Sequence, residues 1–379
     1  MKEDVIMYST DELKKIIENF SIAGKFISCD AIDDGHINST YRVEYAIGNT
    51  RMQYLLQMVN TDVFKKPDEL MANIDVVTSF LRDKVIAAGG NPERETLYCK
   101  PCRNGKKYYT DSNGKVWRVY NYVTDSFTHN SIESPEVFFN AGYAFGNFQK
   151  QLADFPSESL YETIPDFHNT AARYRNLMNS VKENRSHRAA LVKDEIAFAE
   201  ARRDDTYVLT GKTEAGILPL RVTHNDTKLN NVMFDKKTGL PVCIVDLDTV
   251  MPGLSLYDFG DAIRFGANTA AEDEKDLSKV SLDVGLYEQY VRGYLTSAGE
   301  SLTKEEIELM PFAAKLMTFE CGMRFLTDYI DGDVYFKTAY PDHNLDRCHT
   351  QFKLVEDIER KYDEMLAVTM KAYNEIIKK

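Results

Sequence analysis

Polar side chains of the types that handle phosphate crowd into one stretch, RVTHNDTKLNNVMFDKKTGLPVCIVDLDTV: His224, Asp226, Lys228, Asn231, Asp246 and Asp248. A carboxamide and a carboxylate offer the hard oxygen donors that Mg²⁺ prefers. That cation leaves positions open for phosphate oxygens and needs no full protein cage. A lysine adds a point charge, and a further carboxylate can orient a hydroxyl. The elements that must position these groups can be read alongside them. Residues 232–234 and 242–245 are apolar runs of strand length. Residues 236–239 read as a tight turn in which Gly239 is free to take positive φ. The predicted hairpin sets Asn231 beside Asp246, with Asp226 about one loop away.

At 379 residues the chain is too long for one ordinary core, so about two domains are expected. With 43% hydrophobic and 28% charged residues, the composition is that of a soluble globular protein. A net charge of −13, from 46 basic and 59 acidic residues, argues against nucleic acid or an anionic membrane as partner. Among the cysteines only Cys99 and Cys102 are close in sequence, and no second C-x-x-C accompanies them. Unpaired thiols in a reducing, cytoplasmic compartment are expected. The N-terminus, MKEDVIMYSTDELKK, has no apolar h-region. No uncharged apolar run approaches the ~20 residues of a membrane span.

In chain order, Ser9-x-x-Glu12 is a capping box that opens a helix with the apolar stripe Leu13, Ile16, Ile17 and Phe20. Strands are predicted over residues 25–30, 40–46 and 52–59, with a loop at 33–38 between the first two. A helix follows over 67–88, with Pro67 in its first turn and Gly89-Gly90 at its end. Residues 95–100 and 106–110 read as strands, 111–114 as a turn and 116–123 as the last strand of the first domain. The second half is helix-rich. Ser134-Pro135 starts one helix, 309–329 forms another, Asp331-Gly332-Asp333 turns, and helix resumes from Leu345.

The spacing His224-x-Asp226-x4-Asn231 is that of a kinase catalytic loop, and Asp246 stands where the D-F-G aspartate stands. No A-P-E follows; the chain continues through Pro252-Gly253 to Leu256-Tyr257-Asp258-Phe259-Gly260-Asp261. With the blocks GHINSTY, ECGMRFLTDYIDGDVYF and YPDHNL, the chain resembles the aminoglycoside phosphotransferase and choline kinase superfamily. Within it the chain is most similar to the N-acetylhexosamine 1-kinases. The resemblance runs nearly end to end. It implies an α+β, protein-kinase-like fold of two lobes: a small N-terminal lobe with an antiparallel sheet (1–122), and a larger, mostly helical C-terminal lobe (123–379).

It further implies ATP-dependent phosphorylation of the anomeric hydroxyl of N-acetylglucosamine or N-acetylgalactosamine. Asp226 and Lys228 would be catalytic, and Asn231 and Asp246 would hold Mg²⁺. His36, Asp226, Arg324 and Tyr335 would contact the sugar. Gly35, Ile37 and Asn38 would lie over the nucleotide phosphates, and the segment Tyr120, Asn121, Tyr122 would bind adenine through its backbone. Asp258 and Asp261 are expected to tie the loop after the metal site, and Asp248 either to support the metal or to cap the hairpin. The chain is expected to act as a monomer. It departs from kinase-like chains on the third strand, where Gln57 stands in place of the usual phosphate-holding lysine. Arg51 is the nearest cation in sequence.

An aspartate near its ordinary pKa of ~3.9 is too weak to deprotonate a sugar hydroxyl beforehand. Asp226 would instead orient the hydroxyl and take its proton late. Two alternatives stand beside the sugar kinase. One is a kinase for another small hydroxyl acceptor (an aminoglycoside, choline or homoserine), with Asp328, Asp331 and Asp333 as acids for a polycation. The other is a nucleotide-binding pseudokinase.

Overall fold

The computed structural model describes residues 8–32 and 38–378. Gly35, His36 and Ile37 lie outside the described residues. The chain divides into two compact units. One comprises residues 1–127, 160–163 and 233–248; the other comprises 128–159, 164–232 and 249–379. Compared with a boundary at residue 122, the first unit extends slightly further and also takes in the hairpin at 233–248.

The first unit is built on a five-stranded sheet in the order β1-β2-β3-β5-β4, every neighbouring pair antiparallel. Its strands are β1 (Lys25–Ile32), β2 (Ser39–Ile47), β3 (Thr50–Val59), β4 (Tyr109–Thr110) and β5 (Val116–Asn121). Alternation sends Val43, Tyr45, Tyr54, Leu56, Trp117 and Val119 to one face. There they pack with Leu13, Ile16 and Ile17 of the helix Thr10–Ile17. That helix starts with the expected capping box of Ser9 and Glu12. The helix Pro67–Ala87 carries proline in its first turn.

The expected strand over 95–100 does not form. A short helix, Pro92–Glu95, precedes it, and only Cys99 bridges Tyr120. The cause is Asn121. Its Oδ1 accepts the Tyr98 N–H at 2.8 Å, and its Nδ2 donates to the carbonyls of Glu93 and Thr96, each at 3.0 Å. Backbone bonds join Lys100 to the Val119 carbonyl and Asn121 to the Tyr98 carbonyl, and beyond them the Asn121 side chain takes the place of a ladder.

A three-stranded sheet, β6-β8-β9, joins β6 (Ser126–Phe127) to the hairpin of β8 (Val232–Asp235) and β9 (Pro241–Ile244). Gly239 takes φ +70° in its turn, as the sequence led one to expect. Arg94 anchors the hairpin, donating to Asp235 at 2.8 Å and to the Thr124 and Asp125 carbonyls.

The second unit is helical apart from the short pair β7 (Arg221–Thr223) and β10 (Met251–Gly253), which run antiparallel. The helix Met310–Asp331 is buried on nearly every side, as a central helix must be. Its Phe319, Met323, Phe325, Leu326 and Tyr329 form one core with Leu177, Phe352 and Val355. The helices Pro135–Gln151 and Val284–Ala298 approach so closely that a Cβ on Gly142 would lie 2.4 Å from the Tyr290 carbonyl. No helix among the described residues is long and apolar enough to cross a membrane.

Candidate active site

The loop after β7 carries His224, Asn225, Asp226 and Lys228, and buried groups of the second unit hold it from below. Asp258, 1% exposed on the helix Ser255–Gly266, accepts the His224 N–H at 2.8 Å and the Asn225 N–H at 2.7 Å. It also accepts from Gln149 Nε2 at 3.1 Å, and its backbone carbonyl accepts from Thr227 Oγ1. Burial pushes the Asp258 carboxyl above the ordinary carboxylate range, while the nearby His224 and these donors pull the other way. Asp258 therefore ties down the loop after β7, at His224, Asn225 and Thr227, and not the loop after Asp246 as expected from sequence. Asp261 is bound instead to Arg264 at 2.9 Å.

His224 is fully buried, its ring set edge-on against Phe145 and Phe148. Its Nδ1 accepts the Asp226 N–H at 3.3 Å. That is a structural role. Asn225 holds φ +63°, a left-handed backbone that a non-glycine residue adopts only when its surroundings compel it. Asp258 does so from one side. From another, Asn225 Nδ2 donates to the Thr249 carbonyl at 2.8 Å, and Thr249 Oγ1 donates to the His224 carbonyl at 2.6 Å.

A third support comes from the helix Met310–Asp331. Thr170 Oγ1 donates to Glu320 at 2.6 Å, Glu320 meets His168 Nδ1 at 2.8 Å, and His168 Nε2 faces the Asn225 carbonyl at 3.4 Å. Burial opposes the charge of Glu320, but His168 and Thr170 hold its pKa below the ordinary glutamate value. A folded-state pKa below the unfolded ~4.3 means that its stabilisation is complete above that pH. It is lost as pH falls through the lower folded value. Thermal stability should therefore decline below about pH 4.3, and Glu320→Gln should flatten that decline. Melting curves of both proteins between pH 7 and 3 test this; equal slopes would contradict it.

At the working end of the loop, Lys228 Nζ lies 2.9 Å from Asp226 Oδ1. Burial works against the lysine's charge, but Asp226 and Asp261 raise its pKa overall, so it is a cation throughout the neutral range. Asn231 Nδ2 donates to the Asp226 carbonyl at 2.8 Å and to Asp226 Oδ2 at 3.2 Å. With Nδ2 donating to Asp226, the remaining polar atom of the Asn231 side chain is Oδ1, an oxygen of the type that a divalent cation takes. Asn231 directly precedes β8. Asp246 follows β9 by two positions and holds φ +59°. An amide oxygen and a carboxylate are donor types that Mg²⁺ takes.

The other predicted site residues are placed as follows. Arg324 lies over the rings of Phe167 and Phe336, 5.9 and 5.5 Å from their centroids. Tyr335 is 70% exposed and packs edge-on against Phe336. Phe167 in turn stacks edge-on with His168, so a continuous run of contacts leads from the catalytic loop to Arg324 and Tyr335. Tyr120 is buried, and the Asn121 side chain bonds Tyr98, Glu93 and Thr96 while its N–H donates to the Tyr98 carbonyl. Tyr122 is half-buried. Asn38 donates to Asp248 at 2.7 Å. Arg51 pairs with Glu44 near the surface and does not stand in for the missing lysine.

Sequence reasoning missed several residues. Arg173 donates to the Phe167 carbonyl at 2.7 Å, and burial together with Arg324 lowers its pKa. Asn344 of the YPDHNL block bonds Asp328 and Asp333. Asp328 is buried and also accepts the N–H groups of Val334, Tyr335 and Phe336, which fixes the loop that presents Tyr335.

Residues 28–302 match the family model described as the phosphotransferase enzyme family. The chain belongs to that family. Its fold is shared by solved kinases at low sequence identity. A microcompartment-associated aminopropanol kinase is 14% identical with a TM-score of 0.55, covering 93% of this chain and 97% of its own. The choline kinase of Cryptosporidium parvum Iowa II is 12% identical with a TM-score of 0.57, covering 96% and 99%. A spectinomycin phosphotransferase solved with ADP and spectinomycin is 11% identical with a TM-score of 0.52, covering 96% and 98%. This phosphotransferase thus has the mixed α+β, kinase-like architecture expected from its sequence: an antiparallel sheet in the small N-terminal unit and a helical C-terminal unit.

Proposed function

We propose that this phosphotransferase moves the terminal phosphoryl group of ATP to the anomeric hydroxyl of an N-acetylhexosamine, giving the sugar 1-phosphate. The observation that carries the phosphoryl-transfer part is the loop in which Asp226 lies 2.9 Å from a charged Lys228 and accepts from Asn231. Phosphoryl transfer passes through a loose transition state, so positioning and charge neutralisation supply most of the catalysis. Asp226 accepts a hydrogen bond from the attacking hydroxyl and takes its proton late. Lys228 turns its charge from Asp226 towards the moving phosphoryl group. Asn231 and Asp246 would hold Mg²⁺, which would neutralise negative charge on the nucleotide phosphates. Pairing these two as ligands rests on their places flanking the hairpin and on the kinase resemblance.

The acceptor is argued from the groups around Arg324 and Tyr335. A guanidinium, a phenol and apolar rings suit a neutral, acetylated polyol. A polycationic antibiotic would call for free acids. Asp328, however, is spent on backbone N–H groups and Asn344, and Asp333 pairs with Arg188 at 2.5 Å. Two of the three acids are thus spent, which favours the sugar over an aminoglycoside. The solved relatives act, by their descriptions, on aminopropanol, choline and spectinomycin. A different small hydroxyl acceptor is therefore the competing reading.

ATP consumption measured across N-acetylglucosamine, N-acetylgalactosamine, glucose, choline and kanamycin, with and without Mg²⁺, separates the readings. Turnover with the N-acetylhexosamines and none with choline or kanamycin supports the proposal, and the reverse order sinks it. Within the proposal, Arg324→Ala should raise the sugar KM about tenfold or more with a smaller change in kcat, as loss of a ground-state contact does. An unchanged sugar KM would remove Arg324 from the pocket.

A further inference from the structure

The position that carries lysine in kinase-like sheets carries Gln57 here, and the first unit shows what that amide does. Thr40, Gln57 and Arg118 form one row across β2, β3 and β5. Directly paired residues project to the same face. Gln57 Nε2 donates to Thr40 Oγ1 at 3.1 Å. Gln57 Oε1 accepts from Arg118 Nε at 3.1 Å and from Nη2 at 2.9 Å. Arg118 Nη1 lies 2.5 Å from Asp248 Oδ1 in an ion pair without hydrogen-bond alignment. The other Asp248 oxygen accepts from Asn38, whose own Oδ1 accepts the Asn60 N–H at 3.0 Å.

The side chain of Arg118 is 1% exposed and that of Asp248 4%. A cation so enclosed offers a nucleotide phosphate no approach, so Arg118 does not take over the lysine's contact. Both oxygens of Asp248 are occupied. Asp246 lies two residues away in a left-handed backbone that its surroundings must enforce. An ion pair buried on one side of that turn and bonded onward into three strands is such an enforcement.

We propose that Arg118 is a positioning residue for the metal segment. Through Asp248 it fixes the strained turn at residues 246–248 and withholds Asp248 from the cation, and Gln57 serves to aim Arg118. The inference rests on the Mg²⁺–nucleotide reading above. A lysine at position 57 would place a second positive charge against Arg118, so it should harm rather than repair.

The test is calorimetric ADP binding by the full chain over a range of Mg²⁺ concentrations. In Arg118→Met/Asp248→Met the buried charges go together and apolar side chains fill their place, a replacement that folded proteins tolerate. This variant is expected to bind metal-free ADP as wild type does. It should need roughly 10- to 100-fold more Mg²⁺ for half-maximal tightening, the usual scale for losing a group that orients a ligand. Wild-type Mg²⁺ dependence in the double variant overturns the proposal. Gln57→Lys, which leaves the pair in place, is expected to weaken Mg²⁺–ADP binding; tighter binding overturns the proposal even if the double variant does not fold. Loss of Mg²⁺ dependence in Asp246→Asn supports the underlying reading. If wild type binds ADP without regard to Mg²⁺, that reading fails and the inference fails with it.

Discussion

Asp226→Asn lowers kcat by about 10²-fold or more while leaving ADP affinity near its wild-type value, because it removes a positioned proton acceptor and little else. The amide is nearly isosteric; its one oxygen can still accept from Lys228 or from Asn231, though not from both, and the bond from Asn231 to the residue 226 carbonyl remains to hold the loop. The carboxylate lies within 2.9 Å of Lys228 Nζ and 3.2 Å of Asn231 Nδ2. Asparagine can orient the attacking hydroxyl but cannot take its proton. Steady-state kinetics with saturating ATP, together with an ADP titration, measure both quantities. A variant that turns over at more than a tenth of the wild-type rate would show that Asp226 is not the acceptor.

Asp258→Ala is the second large effect, and it acts at a distance from the reacting atoms. The carboxylate accepts from two backbone N–H groups and one amide, all buried. Alanine leaves those donors unpaired, at about 1–3 kcal/mol each. A loss on the order of 3–5 kcal/mol in stability is expected once partial relaxation is allowed. Activity should fall further than stability alone explains. Asn225 loses a main restraint on its left-handed backbone, and a shift of ~1 Å in the residue beside it can cost ~10²-fold in rate. Denaturant unfolding and kcat, measured under conditions where the variant is still folded, check the two parts separately. Wild-type kcat in a folded Asp258→Ala protein would contradict the assigned role.

The parts that were legible in the sequence are those where local spacing decides structure. The Ser9 capping box, the proline-started helix at Pro67 and the Gly239 hairpin each follow from residues a few positions apart. The order of His224, Asp226, Asn231 and Asp246 was legible for the same reason. What escaped depends on tertiary pairing. Asp258 is expected from sequence to tie a loop, but which loop depends on packing, and packing turns it towards His224 and Asn225. Arg118 lies in an apolar strand that sequence reads as simple alternation; its partner Asp248 is far along the chain. The strand expected at 95–100 failed because Asn121 supplies side-chain bonds where a ladder would run. Asp328, Asp331 and Asp333 read as a set of acids for a polycation, and two of the three, Asp328 and Asp333, prove to be taken by Asn344 and Arg188.

The site also separates its labours. Lys228 and Asp226, the pair proposed to handle the moving charge, stand at the loop's open end, whereas Asp258, His168 and Glu320 are buried and hold the backbone behind them. Electrostatic catalysis works best when its dipoles and charges are set before reaction. Buried, fully bonded supports are how a loop meets that requirement.

The most direct measurement is the phosphorus NMR spectrum of the product formed from ATP, Mg²⁺ and N-acetylglucosamine. A phosphomonoester signal split by the anomeric proton, growing as ATP is consumed, is the expected result. Phosphate appearing on a different oxygen of the sugar, or no transfer to any N-acetylhexosamine while a cationic alcohol is phosphorylated, would contradict it.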